Sequence, residues 1–243
     1  MRRAGAIVNR VLQRLGEMIV PGVTTQELDT EAERFGKELG AEALFKGVPG
    51  RGGPFPGVIC ASINEQVVHG IPGRRVICDR DVVSIDYGCR LDGYCGDAAW
   101  TWVVGEVDPA VQRMVDATKR ALDIAIKVSR VGMLWSQVAS QMQKTVEADG
   151  FSVIREFVGH GIGREMHEDP KVPNFVSREL LTRDIRLDEG LVIAVEPMVA
   201  MGSPDVVMEQ DGWTIVTRDG KPAAHFEHTL AMTRSGVQVL TDA

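Results

Sequence analysis

The chain is poor in aromatic residues and has no long apolar run. Phe, Trp and Tyr make up 5% of its 243 residues, which leaves little material for base-stacking surfaces. No apolar stretch approaches the roughly 20 residues that a bilayer crossing requires. No continuous apolar core follows Met1-Arg2-Arg3-Ala4-Gly5, so neither a membrane span nor a signal peptide is expected. Positive charge is in deficit: 27 Lys and Arg against 34 Asp and Glu give a net −7, which argues against a nucleic-acid partner. Cysteine is sparse. Cys60, Cys78, Cys89 and Cys95 form no C-x-x-C pair and read as reduced thiols of a cytoplasmic protein. What is left is ordinary for a globular chain, 44% hydrophobic and 25% charged, of a length that fits one large domain or two fused halves.

Helical periodicity opens the chain. Ile7, Val8, Val11, Leu12, Leu15 and Ile19 form a stripe over 4–20, stopped by Pro21-Gly22. It has no N-cap residue, so this helix either starts frayed or follows a short upstream piece. Thr24 and Glu27 have the spacing of a capping box and open a second helix that runs to about Leu39, before Gly40. The stretch GVPGRGGPFPG at 47–57, with five glycines and three prolines, reads as a loop without regular structure. Short extended runs follow at 58–62 and 67–72, and His69 stands near the end of the second. Asp108 and Pro109 start another helix as N-cap and first residue, reaching about Val128. A further helix spans 133–149 and stops at Gly150.

The segment FVGHGIGREMHEDP at 157–170 carries His160 and His167 among three glycines. Each glycine costs roughly 1 kcal/mol in a helix interior, so the segment reads as an exposed loop leaving a strand at 151–158. Residues 177–190 read as a charged connector. The runs 191–198 and 223–230 read as continuous apolar strands interrupted by Glu196 and by Glu227. Neighbouring strands are expected at 213–217 and 237–240.

Paired acids appear within 82–105. Asp92-Gly93 is a strong signal for a two-residue hairpin loop. That register sets Asp86 opposite Ala99, with Asp97 as its diagonal neighbour on the same face. Diagonal Cα atoms lie roughly 7–8 Å apart, near enough for two carboxylates to share an ion. The alternative is a solvated hairpin edge. Asp86, Asp97, His160, Glu196 and Glu227 are thus polar groups set in apolar strands or tight loops, which is costly unless something neutralises them. Such a set could hold two divalent ions roughly 3.5–4 Å apart. Without metal, carboxylates that close would force large upward pKa shifts. The set needs no cysteine, which removes a closed structural zinc site. Co, Mn, Fe, Zn and Ni all suit carboxylates with one imidazole.

The segments SIDYGCRLDGYCGDAAWT, GHGIGREMHEDP, AVEPMV and HFEHTLAMT resemble those of the type I methionine aminopeptidases of peptidase family M24. INEQVVHGIP and DGWTIVTRDG do the same, in the same order, and the resemblance covers nearly the whole chain. It implies the pita-bread fold: α+β, with a pseudo-twofold curved antiparallel sheet and helices on its outer face. A single catalytic domain over 1–243 would divide into halves of roughly 1–105 and 106–243. The activity implied is removal of the initiator methionine from nascent proteins and peptides by a water activated at two metals. On that resemblance Asp86 chelates one metal, His160 and Glu196 the other, while Asp97 and Glu227 bridge them. Glu196 doubles as general base, and His69 and His167 contact the substrate. Phe55, Cys60, Met166 and Trp213 match the lining of the methionine pocket. The implied partners are an N-terminus beginning with Met and the ribosome that presents it; a cytoplasmic monomer is the default.

Three features depart from the family pattern. The 47–57 stretch is unlike the usual tyrosine-rich loop. His225 stands where a small or amide residue is expected, either as a support for Glu227 or as a surface histidine. Asp97-Ala98-Ala99 lacks the hydroxyl that commonly follows the bridging aspartate. Competing functions are a proline-specific aminopeptidase or prolidase, which usually carries a further N-terminal domain, and a catalytically silent pita-bread binding module, which generally loses ligands. Type II methionine aminopeptidases are disfavoured, because no large insertion separates His160 from Glu227.

Overall fold

The computed structural model describes residues 1–242. Helix α1 (Arg2–Gly16) buries the expected stripe, but it ends a turn early. Hydrogen bonds from Met18 N to the Leu15 carbonyl and from Ile19 N to the Gly16 carbonyl tighten its last turn, and Pro21 disfavours helical geometry at the residue before it. Ile19 is buried from that turn rather than from the helix. Helix α2 (Thr25–Glu38) starts at the capping box: Thr24 Oγ1 accepts from Glu27 N at 3.2 Å, and Glu27 Oε2 accepts from Thr24 N at 2.7 Å.

Strand β1 (Glu42–Ala43) leads into the Gly-Pro stretch, which is more regular than its composition suggests. A small hairpin pairs β2 (Pro49–Gly50) with β3 (Gly53–Pro54). The two prolines face each other and donate nothing, so the flanking bond from Phe55 N to the Val48 carbonyl, 2.8 Å, holds the hairpin. Strands β4 (Cys60–Ile63) and β5 (Gln66–Val68) follow. The long hairpin of β6 (Val82–Leu91) and β7 (Tyr94–Val103) turns at Asp92-Gly93, both at positive φ, as a two-residue primed turn requires. Its register is the expected one, Asp86 opposite Ala99 and Gly88 opposite Asp97. Strands β1, β6, β4 and β7 make one sheet.

Helix α3 (Pro109–Val128) opens with Asp108 accepting from Ala110 N at 2.7 Å, and α4 (Trp135–Ala148) follows. The strand expected over 151–158 shrinks to β8 (Ser152–Val153). Beyond it come β9 (Gly159–Gly161) and β10 (Glu168–Val172), then a short helix α5 (Arg178–Thr182) inside the expected connector, capped by Ser177. The chain closes with β11 (Val192–Val195), β12 (Met198–Ala200), β13 (Val206–Met208), β14 (Ile215–Thr217), β15 (Ala223–His225), β16 (His228–Thr233) and β17 (Gly236–Val239).

The two long strands expected at 191–198 and 223–230 both break. Strands β11 and β16 belong to a five-stranded sheet ordered β10-β9-β11-β16-β17, while β12 and β15 belong to another with β8. Val195 pairs with His228 on one side of the break, and Met198 pairs with His225 on the other. Pro197 has no N–H to continue a ladder. Glu196 and Glu227 therefore sit where the chain changes sheets.

Helices cover one side of these ladders in two packages. Val8, Leu15 and Leu28 pack with Ile85 and Tyr87 of the long hairpin. Met114, Leu122 and Trp135 pack with Ile193 and Val199. A seam along β7 joins the packages at alternate residues. The Thr101 hydroxyl bonds the His225 backbone, Glu227 N donates to the Ala99 carbonyl at 2.9 Å, and the Thr229 hydroxyl bonds the Asp97 backbone. Among the described residues no helix is long and apolar enough to cross a membrane.

Candidate metal centre

Every site residue expected from the sequence borders one cavity of about 110 Å³. Asp86 and Asp97 rise from the long hairpin, and His160 comes from the middle strand of a three-strand run, β10-β9-β11. Glu196 and Glu227 enter from the two breaks, and buried Asn174 donates its Nδ2 to the Glu196 carbonyl at 2.9 Å. Ligand atoms of Asp97, His160 and Glu227 all lie within 4.8 Å of one another. His160 Nε2 is 3.9 Å from Asp97 Oδ2 and 3.7 Å from Glu196 Oε1, too far for hydrogen bonds.

The exposed loop expected around His160 is instead a buried strand. Its glycines serve close packing. A Cβ at Gly159 would lie 2.2 Å from the Ala194 carbonyl oxygen, and one at Gly161 would lie 2.2 Å from that of Asp169. The neighbouring strands can approach only because both side chains are absent. His160 Nδ1 sits 2.9 Å from the Gly161 carbonyl. A carbonyl only accepts, so Nδ1 carries the proton and Nε2 turns its lone pair towards the acids.

Those acids are short of partners. Asp97 and Glu227 are each 2% exposed, which removes the solvated-edge alternative for Asp97. Asp86 Oδ1, Asp97 Oδ1 and Glu227 Oε1 are buried without a hydrogen-bond partner among the described residues. Burial pushes Asp97 up to about 7. Burial raises Asp86, Glu196 and Glu227 too, and the charge of Asp97 beside each adds to the shift. His160, by contrast, is pushed down to about 4 by burial. Orphaned carboxylate oxygens around a neutral imidazole are costly alone and well matched to a divalent cation.

His69 and His167 flank the acids. His69 adopts φ +59°, a conformation non-glycine residues hold only where their surroundings enforce it. Its ring meets Phe157 and Trp213 edge-on, at 5.4 and 6.3 Å between centroids. Burial, aided by nearby His167, pushes it down to about 4. The His167 ring lies 4.3 Å from that of His160. On the apolar side, Phe55 and Trp213 make an edge contact at 5.0 Å, and Trp213 Nε1 donates to the Gly53 carbonyl at 3.0 Å. Burial, then Asp86, raises the Cys60 thiol, so it stays protonated. Phe45 and Val48 also border the cavity, without a sequence signal beyond being apolar.

Residues 1–234 match the profile of metallopeptidase family M24. The chain belongs to this family. It is 45% identical to methionine aminopeptidase 1 of Bacillus subtilis over 241 residues, covering 99% of this chain and 94% of that protein. In structure it resembles methionine aminopeptidase from Thermotoga maritima, with a TM-score of 0.94 and 41% identity, covering 100% of this chain and 95% of that one. A prolidase from Pyrococcus furiosus shares the fold, with a TM-score of 0.77 at 22% identity, and this chain spans 63% of its length. The pita-bread architecture and the relationship expected from the sequence motifs are both borne out.

Within this M24 chain, two of the three departures acquire a structural meaning. The 47–57 stretch is a hairpin whose Gly53 carbonyl anchors the Trp213 indole. His225 is no surface residue: it is 2% exposed, and its Nε2 lies 3.9 Å from both Glu196 Oε2 and Glu227 Oε2. It borders a larger cavity of about 480 Å³ that also reaches His69, Asp86, His160 and His167. Burial pushes its imidazole down to about 3.

Proposed function

We propose that the protein is a metal-dependent aminopeptidase that removes the N-terminal methionine from peptides and newly made proteins. Two buried and two half-buried carboxylates converging with one imidazole beside an apolar pocket, in a family M24 chain with methionine aminopeptidase relatives, support this reading. Asp86, Asp97, His160, Glu196 and Glu227 are assigned as the residues that would hold two divalent ions. Bound there, the ions would neutralise the acids, polarise the scissile carbonyl and lower the pKa of water towards neutrality.

The chain's own residues supply the remaining steps. Phe55, Cys60, Met166 and Trp213 offer a soft, apolar wall to a thioether side chain. Glu196, whose carboxyl is raised by burial, is suited to accept the proton of the attacking water. His69 and His167 are assigned to the substrate amide, donating to charge that builds on its oxygen. Both are shifted towards the neutral form, in which one ring nitrogen still donates. The protein is read as one catalytic domain of two halves, a cytoplasmic monomer that meets N-termini near the ribosome.

Hydrolysis of a Met-Ala-Ser peptide by protein loaded with Mn²⁺ or Co²⁺ tests the assignment. Free methionine should be released, and X-Pro peptides should stay intact. Equal turnover of an X-Pro peptide would move the reading to a prolidase. Absence of cleavage with every divalent metal tried would leave a binding module.

A further inference from the structure

Glu196 divides its carboxylate between two imidazoles. Its Oε1 lies 3.7 Å from His160 Nε2, and its Oε2 lies 3.9 Å from His225 Nε2. That same His225 nitrogen is 3.9 Å from Glu227 Oε2. It is buried and has no hydrogen-bond partner among the described residues. A buried polar nitrogen left this way is costly, so its place in the core calls for an explanation.

The backbone that carries the ring is held from behind. Thr101 Oγ1 accepts from His225 N at 3.0 Å and donates to the His225 carbonyl at 2.6 Å. The Ser84 hydroxyl lies 2.8 Å from the same Thr101 oxygen. Met198 pairs with His225 across β12 and β15. With its backbone fixed on both sides, the residue sets its buried imidazole between two carboxylates that come from different strand breaks. A carboxylate that holds an ion through one oxygen can swing about its last torsion unless the other oxygen is also held. Partners of that kind are worth 10–100-fold in metal affinity.

We propose that His225 is a positioning residue for the metal centre, its Nε2–H set between the Oε2 atoms of Glu196 and Glu227 and steadying both by a dipole–charge contact at 3.9 Å instead of a hydrogen bond. This rests on reading those acids as metal holders. It does not make His225 a ligand or a substrate contact.

Titration calorimetry of Mn²⁺ into EDTA-stripped protein tests it, comparing the wild type with His225→Gln and His225→Met. Glutamine keeps a donor of similar reach, whereas methionine keeps volume and loses the donor. H225M should bind Mn²⁺ 10–100-fold more weakly, and H225Q should stay within about threefold of wild type. Equal affinity in H225M and wild type would overturn the proposal. So would equal losses in both variants, which would indicate packing alone. An unchanged Mn²⁺ affinity with a raised KM would assign the ring to substrate and overturn it too. If H225M does not fold, ¹⁵N-histidine spectra of the wild type with and without Zn²⁺ decide the matter. The His225 Nε2–H resonance must shift on metal addition, and an unmoved signal refutes the role. Wild-type protein that takes up no Mn²⁺ would sink the metal centre itself, whereas normal uptake with an indifferent H225M would sink this inference alone.

Discussion

The hydroxyl of Thr229 closes on both ends of Asp97: it accepts from the Asp97 N–H at 3.1 Å and donates to the Asp97 carbonyl at 2.8 Å. Asp97 has alanines after it, and this hydroxyl, 132 residues further along the chain, fixes its backbone instead. The contact also fastens β7 to β16, so the place that orients one acid is the place where the two helix-sheet packages meet. Thr229→Val keeps the shape and removes both bonds. It should cost about 1–3 kcal/mol of stability and weaken Mn²⁺ binding, whereas Thr229→Ser should retain most of both. Urea unfolding and calorimetry read the two effects; identical behaviour of Val and Ser variants would remove the hydroxyl from the account.

Close approach at β9 makes a sharper structural prediction. Gly161→Ala puts a methyl 2.2 Å from a backbone oxygen that cannot move without its strand. It should cost more than about 2 kcal/mol, at the upper end of what overpacking does. Gly73→Ala is the control, since nothing lies within 4 Å of a Cβ there, and it should change stability by less than about 0.5 kcal/mol. Comparable losses at both sites would show that the glycines of β9 are not there for clearance.

What could be read in the sequence was local. Thr24 with Glu27, Asp108 with Pro109, and Asp92 with Gly93 each announce their element through neighbours a few residues away. The acids were legible for a related reason: a carboxylate within an apolar run is conspicuous wherever the run ends up. The strand breaks at Glu196-Pro197 and Phe226-Glu227 were not legible, because each depends on the register of a partner about 30 residues distant. The strand at Gly159–Gly161 looks like a loop in the sequence, since its glycines answer to Ala194 and Asp169 across the sheet and not to the local backbone. His225 stayed ambiguous because its burial depends on Thr101, 124 residues earlier.

Metal uptake should depend on pH with a definite sign. In the metal-free protein Asp97 titrates near 7, and Asp86, Glu196 and Glu227 are also raised. Below that point an ion must displace protons, so affinity should rise as pH rises towards 7. Each proton displaced adds about tenfold per pH unit. His160, already neutral above about 4, contributes nothing to this slope. Calorimetry of Mn²⁺ binding between pH 5.5 and 8, repeated in buffers of different ionisation enthalpy, measures both slope and proton release. An affinity that is flat across that range would contradict protonated acids in the metal-free site.

His69 combines a strained backbone with a proposed catalytic contact, and the two can be separated. His69→Ala should lower turnover by about 10²–10³-fold, the range for loss of one donor to a developing oxyanion, with metal content near normal. It should also lose stability, because it gives up the ring contacts to Phe157 and Trp213 while still carrying the positive φ, which costs L-residues roughly 1–2 kcal/mol. His69→Gly escapes the φ penalty. It should therefore be more stable than His69→Ala by about 1 kcal/mol while remaining equally inactive. Thermal melts and turnover of a Met-Ala-Ser peptide, measured on both variants, distinguish the effects. If glycine restores turnover along with stability, the histidine ring acts only through the fold. If either variant loses its metal, His69 belongs among the groups that hold the ions.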